Sequence, residues 1–550
     1  MTTPPLPSDK RGQAALEALA LAALFAVHFS PVRATNFAGF DEWIILWLTS
    51  HGLTGFPYSN RPLNLLFTLP GAFLPRGSFL GFTAVHLVYL VLGGLCVRAL
   101  ARCLVPGDAF FAFGAAAIVL TWAPMDFLRL TTMQMAYSGI TLAMSLAFLL
   151  ALWSWSRRSP GLLVASALVG LVAARSYEGV LPVLAAVPVA FWLMAPRDRM
   201  FWRWSAVPLA TVAVGGVLAV WPLLRASRAA AYQSELMKLD LDAGRVVARI
   251  ARQFGFHLLP LVSTPFGELR EYAVAGAVAL CAVGFVLVAR AHVSTDPGLR
   301  PLVSTALLGL LLAGLGYVGV SLSASVSTPT RAQFLAGPGI ALFLAGMLRL
   351  LTRGLPERAG TVAFAALVAG VVAVGTARTA SLQRGWDAMG LYPRQHRVLS
   401  ALTALAPDLA PNTLVVLVDQ GGAFRMTFTF RHAVDYLYQG RALGLVAGGD
   451  PFLYDSDVTP RGLHVSPWEV VRGPWGVRET WHRSDEIVLL RHGPAGEVEI
   501  LDSWPPGLPA VPGQGYAPRA RIRPLPQPAP WERRVLELQP ARDASVVVQR

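Results

Sequence analysis

The sequence predicts a polytopic α-helical membrane protein with about eleven transmembrane helices and a small C-terminal α/β or α+β domain outside the cytoplasm. Three observations predict it. Of the 550 residues, 54% are hydrophobic and 14% charged, against about 25% charged in an ordinary soluble domain. Apolar segments approaching the ~20 residues that cross a bilayer recur from residue 14 to residue 378. Beyond about Ala380 these runs stop, and short alternating stretches punctuated by glycine and proline replace them.

In chain order the apolar segments cover 14–30, 78–97, 108–122, 134–155, 160–174, 177–195, 204–223, 272–290, 301–323, 332–351 and 360–378. The first follows Lys10 and Arg11, and no small-x-small cleavage pattern follows it cleanly, so it reads as a retained anchor rather than a removed signal. The stretch 62–75 is also apolar, but Pro62, Pro70 and Pro75 crowd it. Proline removes backbone donors, which predicts a membrane-surface or re-entrant helix here. With the N-terminus in the cytoplasm, the inside turns carry Arg98 with Arg102, Arg157 with Arg158, Arg197, Arg199 and Arg203, Arg290 with Arg300, and Arg353 with Arg358. Cytoplasmic loops are enriched in arginine and lysine, so this orientation is expected, and eleven spans leave the C-terminus outside.

A net charge of +14 does not mark a nucleic-acid-binding protein here. The arginines are scattered at helix ends and through the tail, with no basic run interleaved with aromatics. Cys96, Cys103 and Cys281 lie in or beside apolar segments, and none pairs with histidine at metal-ligand spacing. Neither a disulfide framework nor a zinc signature is expected.

The chain divides into a multi-pass region (1–379), a small domain (380–503) and a proline-rich tail (504–550) that should be extended or partly disordered. Within the domain, "TLVVLVDQGG" reads as a buried strand ending in a turn and "FRHAVDYLYQG" as a helix closed by Gly440. "EIVLLRHG" and "EVEILDSW" read as strands around a turn. No phosphate-cradling glycine motif occurs, and no base with a partner is evident, so this domain should position a substrate rather than carry the chemistry.

On this topology four polar turns share the outer side: Asp41-Glu42 after the first span, Arg175 to Glu178 in "ARSYEG", the loop 224–271, and Arg331 in "STPTRAQFLAGPG". Ionisable residues at the membrane edge are functional candidates, because burying charge near lipid is costly. Structural roles compete with each. The acidic pair can be merely solvated. Arg175 and Glu178, spaced i,i+3, can form a salt bridge capping a helical hairpin, and Arg331 can anchor a helix at the interface. His51 and His257 read as packed or interfacial, and Asp240 with Asp242 in "KLDLDAG" form the one weak acidic motif of the long loop.

The acidic pair after helix one, the element Asn60-Arg61-Pro62-Leu63 before helix two, and the long run of spans ending in an external domain resemble the GT-C glycosyltransferases. The likeness covers roughly residues 14–380 and is closest to bacterial relatives of the protein mannosyltransferases and aminoarabinose transferases. It implies an enzyme of the bacterial cytoplasmic (inner) membrane that moves a sugar from a polyprenyl-phosphate donor to an acceptor on protein, lipid or glycan. It places the general base at Asp41, with Glu42 orienting it or assisting a possible divalent cation. It places Arg331 against the lipid phosphate and makes Arg61, Arg175 and Glu178 candidates for substrate binding. The family often has Pro-Pro where this chain has Arg61-Pro62, which leaves the role of Arg61 open. The chemistry is consistent with so small an inventory, since a phosphate leaves as a stable anion and needs no second carboxylic acid. A transporter or flippase for polyprenyl-linked sugars, or a catalytically silent scaffold, are the competing readings. Transporters place polar groups at the midplane on broken helices, whereas here they gather at one rim.

Overall fold

In the computed structural model the described residues are 10–32, 42–53, 61–74, 79–121, 134–195, 198–225, 239–263, 276–277, 284, 298–323, 333–389, 391–468, 471–472 and 476–538. The chain is mostly helical up to residue 405. In order come α1 (Lys10–Phe29), α2 (Glu42–Ser50), α3 (Leu80–Leu104), α4 (Ala109–Thr121), α5 (Gln134–Arg157), α6 (Pro160–Ser176), α7 (Val187–Met194) and α8 (Phe201–Arg225). They are followed by α9 (Ala243–Leu258), α10 (Leu299–Ser321), α11 (Gln333–Arg353), α12 (Glu357–Met389) and α13 (Leu391–Leu405).

Among the described residues six helices are long and apolar enough to cross a membrane: α3, α5, α8, α10, α11 and α12. Four further expected segments are shorter apolar helices, within Ala15–Phe29, Ala109–Thr121, Pro160–Ser176 and Glu178–Met194. The eleventh, 272–290, lies almost wholly outside the described residues. The segment 177–195 is broken into a 3-10 turn (Glu178–Val180), a single helical turn (Leu181–Leu184) and α7, with Pro182 and Pro188 opening the last two pieces. Prolines also explain 61–74, which forms a series of turns ending in the four-residue helix Leu69–Ala72 rather than one continuous surface helix.

Among these helices α10 and α11 pack most closely. Small residues allow it: a Cβ at Gly339 would meet the backbone of Ala313 at 2.5 Å, and one at Gly316 would meet Ala336 at 2.9 Å. In a lipid environment, where no hydrophobic drive joins helices, such backbone approach supplies the van der Waals contact that holds them. Two arginines expected in a cytoplasmic turn, and one that was not singled out, are paired with carboxylates. Arg98 and Arg102, in the last turns of α3, hold the buried Glu17 of α1, and Arg349 of α11 holds Asp108 at 2.8 Å. The other oxygen of Asp108 accepts from the Phe111 amide at 2.9 Å, capping α4.

The strand-containing region begins after α13. A four-stranded sheet has the order β3 (Ala442–Val446), β2 (Thr413–Asp419), β7 (Ile487–His492), β8 (Val498–Ile500). The first three are parallel and β8 is an antiparallel edge. α14 (Thr427–Leu437) carries the chain from β2 to β3 and packs on the sheet. A second, antiparallel sheet of β4 (Tyr454–Thr459), β5 (Gly462–Pro467) and β6 (Thr480–His482) was not anticipated. Of the two classes left open, α/β describes the main sheet. The proline-rich segment from Trp504, expected to be extended or partly disordered, is irregular with two 3-10 turns (Pro518–Arg521 and Trp531–Arg533) and a last helical turn (Arg534–Glu537), and through residue 538 it lies on the domain. Its β9 (Ile522–Arg523) pairs with β1 (Asp408–Leu409), and the Tyr516 hydroxyl donates to Leu501 O at 2.7 Å.

Candidate functional site

α2 begins at Glu42, whose side chain is buried at the helix N-terminus, where the peptide dipoles favour a carboxylate. Every residue from Glu42 to Thr49 is buried. Asp41, one residue before, lies outside the described residues, as does Arg331.

The central feature is an ion pair between segments 117 residues apart. Arg61 donates from Nε to Glu178 Oε2 at 2.9 Å and from Nη2 to Glu178 Oε1 at 2.6 Å. This is the parallel two-bond geometry that suits a guanidinium to a carboxylate. The guanidinium also lies over the Tyr177 ring, 4.3 Å from its centroid. Arg61 Nη1 has no hydrogen-bonding partner among the described residues.

This pairing corrects the expectation that Arg175 bridges Glu178. The i,i+3 argument requires one continuous helix, but α6 stops at Ser176 and Tyr177 is extended (φ −160°, ψ 113°). Glu178 therefore makes its ion pair with Arg61 rather than with Arg175. Arg175 instead donates to the Leu218 carbonyl of α8. Of the proposed binding residues, the fold joins Arg61 and Glu178 and sends Arg175 elsewhere.

Beside the ion pair lies a small pocket, with a cavity volume of about 20 Å³. Arg61, Asn64, Tyr137, Ser176 and Tyr177 supply its polar lining, while Ile45, Leu65, Ala136 and Ile140 supply the apolar part. Ile45 brings α2 into the wall, four residues along the chain from Asp41. Phe334 lies behind, with its ring 4.6 Å from Tyr137 and 5.4 Å from Tyr177. Phe334 follows Arg331 by three residues in α11. Thus α2, the 61–64 turn, the 176–178 turn and the start of α11 meet at one place, and each adjoins a residue singled out in the sequence.

The C-terminal domain closes over α2 from the other side. Trp43 Nε1 donates to Gln395 Oε1 of α13 at 3.0 Å, and Gln395 Nε2 donates to Ala423 O at 3.2 Å. The Trp47 ring lies 4.7 Å from that of His432 on α14. Burial holds His432 well below the usual imidazole range, with the Arg431 charge beside it acting the same way.

Two polar groupings escaped the sequence reading. His492 and Asp419, at the C-terminal ends of the parallel neighbours β7 and β2, are buried and joined Nδ1 to Oδ1 at 2.7 Å. Burial pushes the Asp419 carboxyl up, but the hydrogen bonds from His492 and from the Phe424 and Ala423 amides outweigh it and leave it below its ordinary value. The expectation that this domain offers no base with a partner is corrected to that extent. The available signal was two strands each ending in an ionisable residue followed closely by glycine ("VDQGG", "RHG"). Gly421 admits the His492 ring, since a Cβ there would lie 2.2 Å from it, so the pair is sealed against the loop. The other grouping is on α9 and its neighbours. Gln333 Nε2 donates to Gln253 Oε1 at 3.2 Å, and His257 bonds the Tyr317 hydroxyl, all four side chains buried.

Asp240 is held by Arg245 at 2.9 Å and by Arg249 at 3.0 Å, and Asp242 caps α9 by accepting from the Arg245 amide at 3.0 Å. Both have structural employment. Among the described residues no group of three or more His, Cys, Asp or Glu side chains is placed to hold a metal ion. Comparison with known proteins matches the chain to no family model and to no curated protein.

Proposed function

We propose that the chain is a multi-pass glycosyltransferase. It would move a sugar from a polyprenyl-phosphate donor to an acceptor hydroxyl or amine on the extracytoplasmic face of a bacterial cytoplasmic membrane. In this reading all eleven apolar segments span, the C-terminal domain faces outward, and the pocket beside Arg61 and Glu178 is part of the reaction site. The observation that carries the reading is the convergence of α2, the two polar turns and the start of α11 on that pocket. Asp41 takes the acceptor proton as the sugar–phosphate bond breaks, and the bonding electrons leave with the phosphate. Glu178 fixes the Arg61 plane through Nε and Nη2, and Nη1, without a hydrogen-bonding partner among the described residues, remains to meet a phosphate or sugar oxygen.

The test is turnover of a polyprenyl-phosphate sugar by the purified full chain and two variants of matched thermal stability. Asn at position 41 keeps the shape but neither accepts a proton nor carries charge. Asp41→Asn should lose on the order of a hundredfold in turnover, the scale for a positioned general base. Glu42→Gln should cost clearly less. Near-normal turnover by Asp41→Asn removes the assignment. Donor crossing the bilayer with its sugar–phosphate bond intact would instead identify a flippase.

A further inference from the structure

Between the spanning-length helices α8 and α10 lies α9, which has a different character from either. At 3.6 residues per turn its sequence "AGRVVARIARQFGFHL" divides into three strips. One contains Gln253 and His257, both about 1% exposed, and faces α10 and α11 through the contacts to Tyr317 and Gln333. The second, turned roughly 120° from Gln253, carries Val247, Ala251 and Leu258. Val247 is 65% exposed, and Val262 of the following helical turn is 84% exposed. The third carries Arg252 and Arg245.

The arginines of α9 are not equivalent. Arg249 is consumed by the Ser321 and Ser323 carbonyls at 3.0 and 2.7 Å and by Asp240. Arg245 is neutralised by Asp240 and Asp242. Arg252, which is exposed, makes no hydrogen bond or ion pair among the described residues. An exposed apolar strip bordered by an unpaired guanidinium would be poorly placed in water, and equally so inside a bilayer. Both halves are satisfied where acyl chains meet headgroups. The helices before and after it in the chain also expose large apolar side chains: Val217 of α8 is 63% exposed and Leu307 of α10 is 60% exposed.

We propose that α9 is an interfacial helix whose Val247 strip enters the acyl boundary of one leaflet while Arg252 contacts the phosphates of anionic phospholipids. Gln253 and His257 pin its inner side to α10 and α11, so the lipid surface is tied to the helix start that bears Phe334. This holds whether or not the chain transfers sugars.

The test uses the full chain with its three native cysteines replaced and a bimane fluorophore on Val247→Cys, reconstituted in phosphatidylcholine vesicles. Nitroxide-bearing phosphatidylcholine or phosphatidylglycerol is added, with the nitroxide at a shallow or a deep acyl position. Shallow nitroxides should quench more than deep ones. Phosphatidylglycerol should be enriched about fivefold around the label, the scale for one basic side chain at an anionic surface. Arg252→Ala should abolish the enrichment and Arg252→Lys should keep most of it. Both changes are at an exposed position, and size-exclusion profiles confirm folding. Quenching by aqueous iodide in place of lipid nitroxides, protection from both by a second copy or another protein, or enrichment indifferent to Arg252→Ala would each overturn the proposal.

Discussion

Truncating Arg61 tests the geometry of the pocket most directly. Arg61→Ala removes hydrogen bonds of 2.9 and 2.6 Å to Glu178 and the stacking on Tyr177. Exposed ion pairs are worth ~0–1 kcal/mol, whereas breaking a buried pair costs ~3–5 kcal/mol because one charge stays behind unpaired. The two side chains are 23% and 30% exposed, between these limits, so the single substitution should cost about 2 kcal/mol. A double-mutant cycle with Glu178→Ala separates the pair from the lost packing and should return a coupling of ~1–2 kcal/mol. The same cycle between Arg175 and Glu178 should return less than ~0.5 kcal/mol. The assay is reversible unfolding in mixed micelles titrated with dodecyl sulfate, followed by circular dichroism. A coupling at Arg61 no larger than that at Arg175 would refute the placement of Glu178 and the pocket built on it.

Three further outcomes are expected. Arg331→Ala should weaken binding of a polyprenyl-phosphate donor by ~1.5–3 kcal/mol, the scale of a charge-assisted contact, and lysine should rescue only partly because it loses the planar fork; unchanged affinity would make Arg331 an anchor. An engineered cysteine at Ser503 should react with an impermeant reagent from outside while one at Ser159 does not, and the reverse pattern would invert the orientation. The C-terminal domain should lose stability in acid, since burial pushes His482 down to about 4. Between the ordinary imidazole value of ~6.5 and 4 the unfolded chain binds a proton that the folded one does not, so stability falls with pH across that window by about 3 kcal/mol. His482→Asn should flatten that part of the pH profile, measured by thermal unfolding.

What was legible in the sequence is what depends on neighbours along the chain. Ten of the eleven apolar segments contain helix among the described residues, as expected of long apolar runs that must satisfy their backbone internally. The strands of "TLVVLVD" and "EIVLLRH" announce themselves by β-branched runs, and Gly440 closes α14 with φ +77°. Contacts between distant segments were not legible. Nothing in "NRPL" or "SYEG" states that Arg61 meets Glu178, and a local spacing rule assigned Glu178 to Arg175 because it assumed a helix where Tyr177 is extended. The small antiparallel sheet was missed for a related reason. Its strand "YDSDVT" is polar and largely exposed, while "GLHVSP" and "TWH" are short and offer no β-branched run, so none shows the extended apolar alternation by which strands are found.

The composition shift near Ala380 also deserves a mechanical reading different from its textural one. It marks where the surroundings change, but not a hinge, because α12 runs unbroken for 33 residues from Glu357 to Met389. A helix of that length extends about 50 Å, some way beyond a hydrocarbon core of ~30 Å. The domain therefore follows a rod continuous with the last long apolar helix. From that rod α13 presents Gln395 to Trp43, and α14 presents His432 to Trp47. α2, only nine residues long, is too short to hold a helix by its own hydrogen bonds. Its conformation must come from what encloses it, the domain on one side and the pocket wall at Ile45 on the other. The carboxylate of Glu42 at its first turn is thus positioned partly by residues more than 350 positions away. The C-terminal domain lines no part of the pocket but backs α2, which does, so changes on its α2-facing surface should reach the site without touching any residue that lines it.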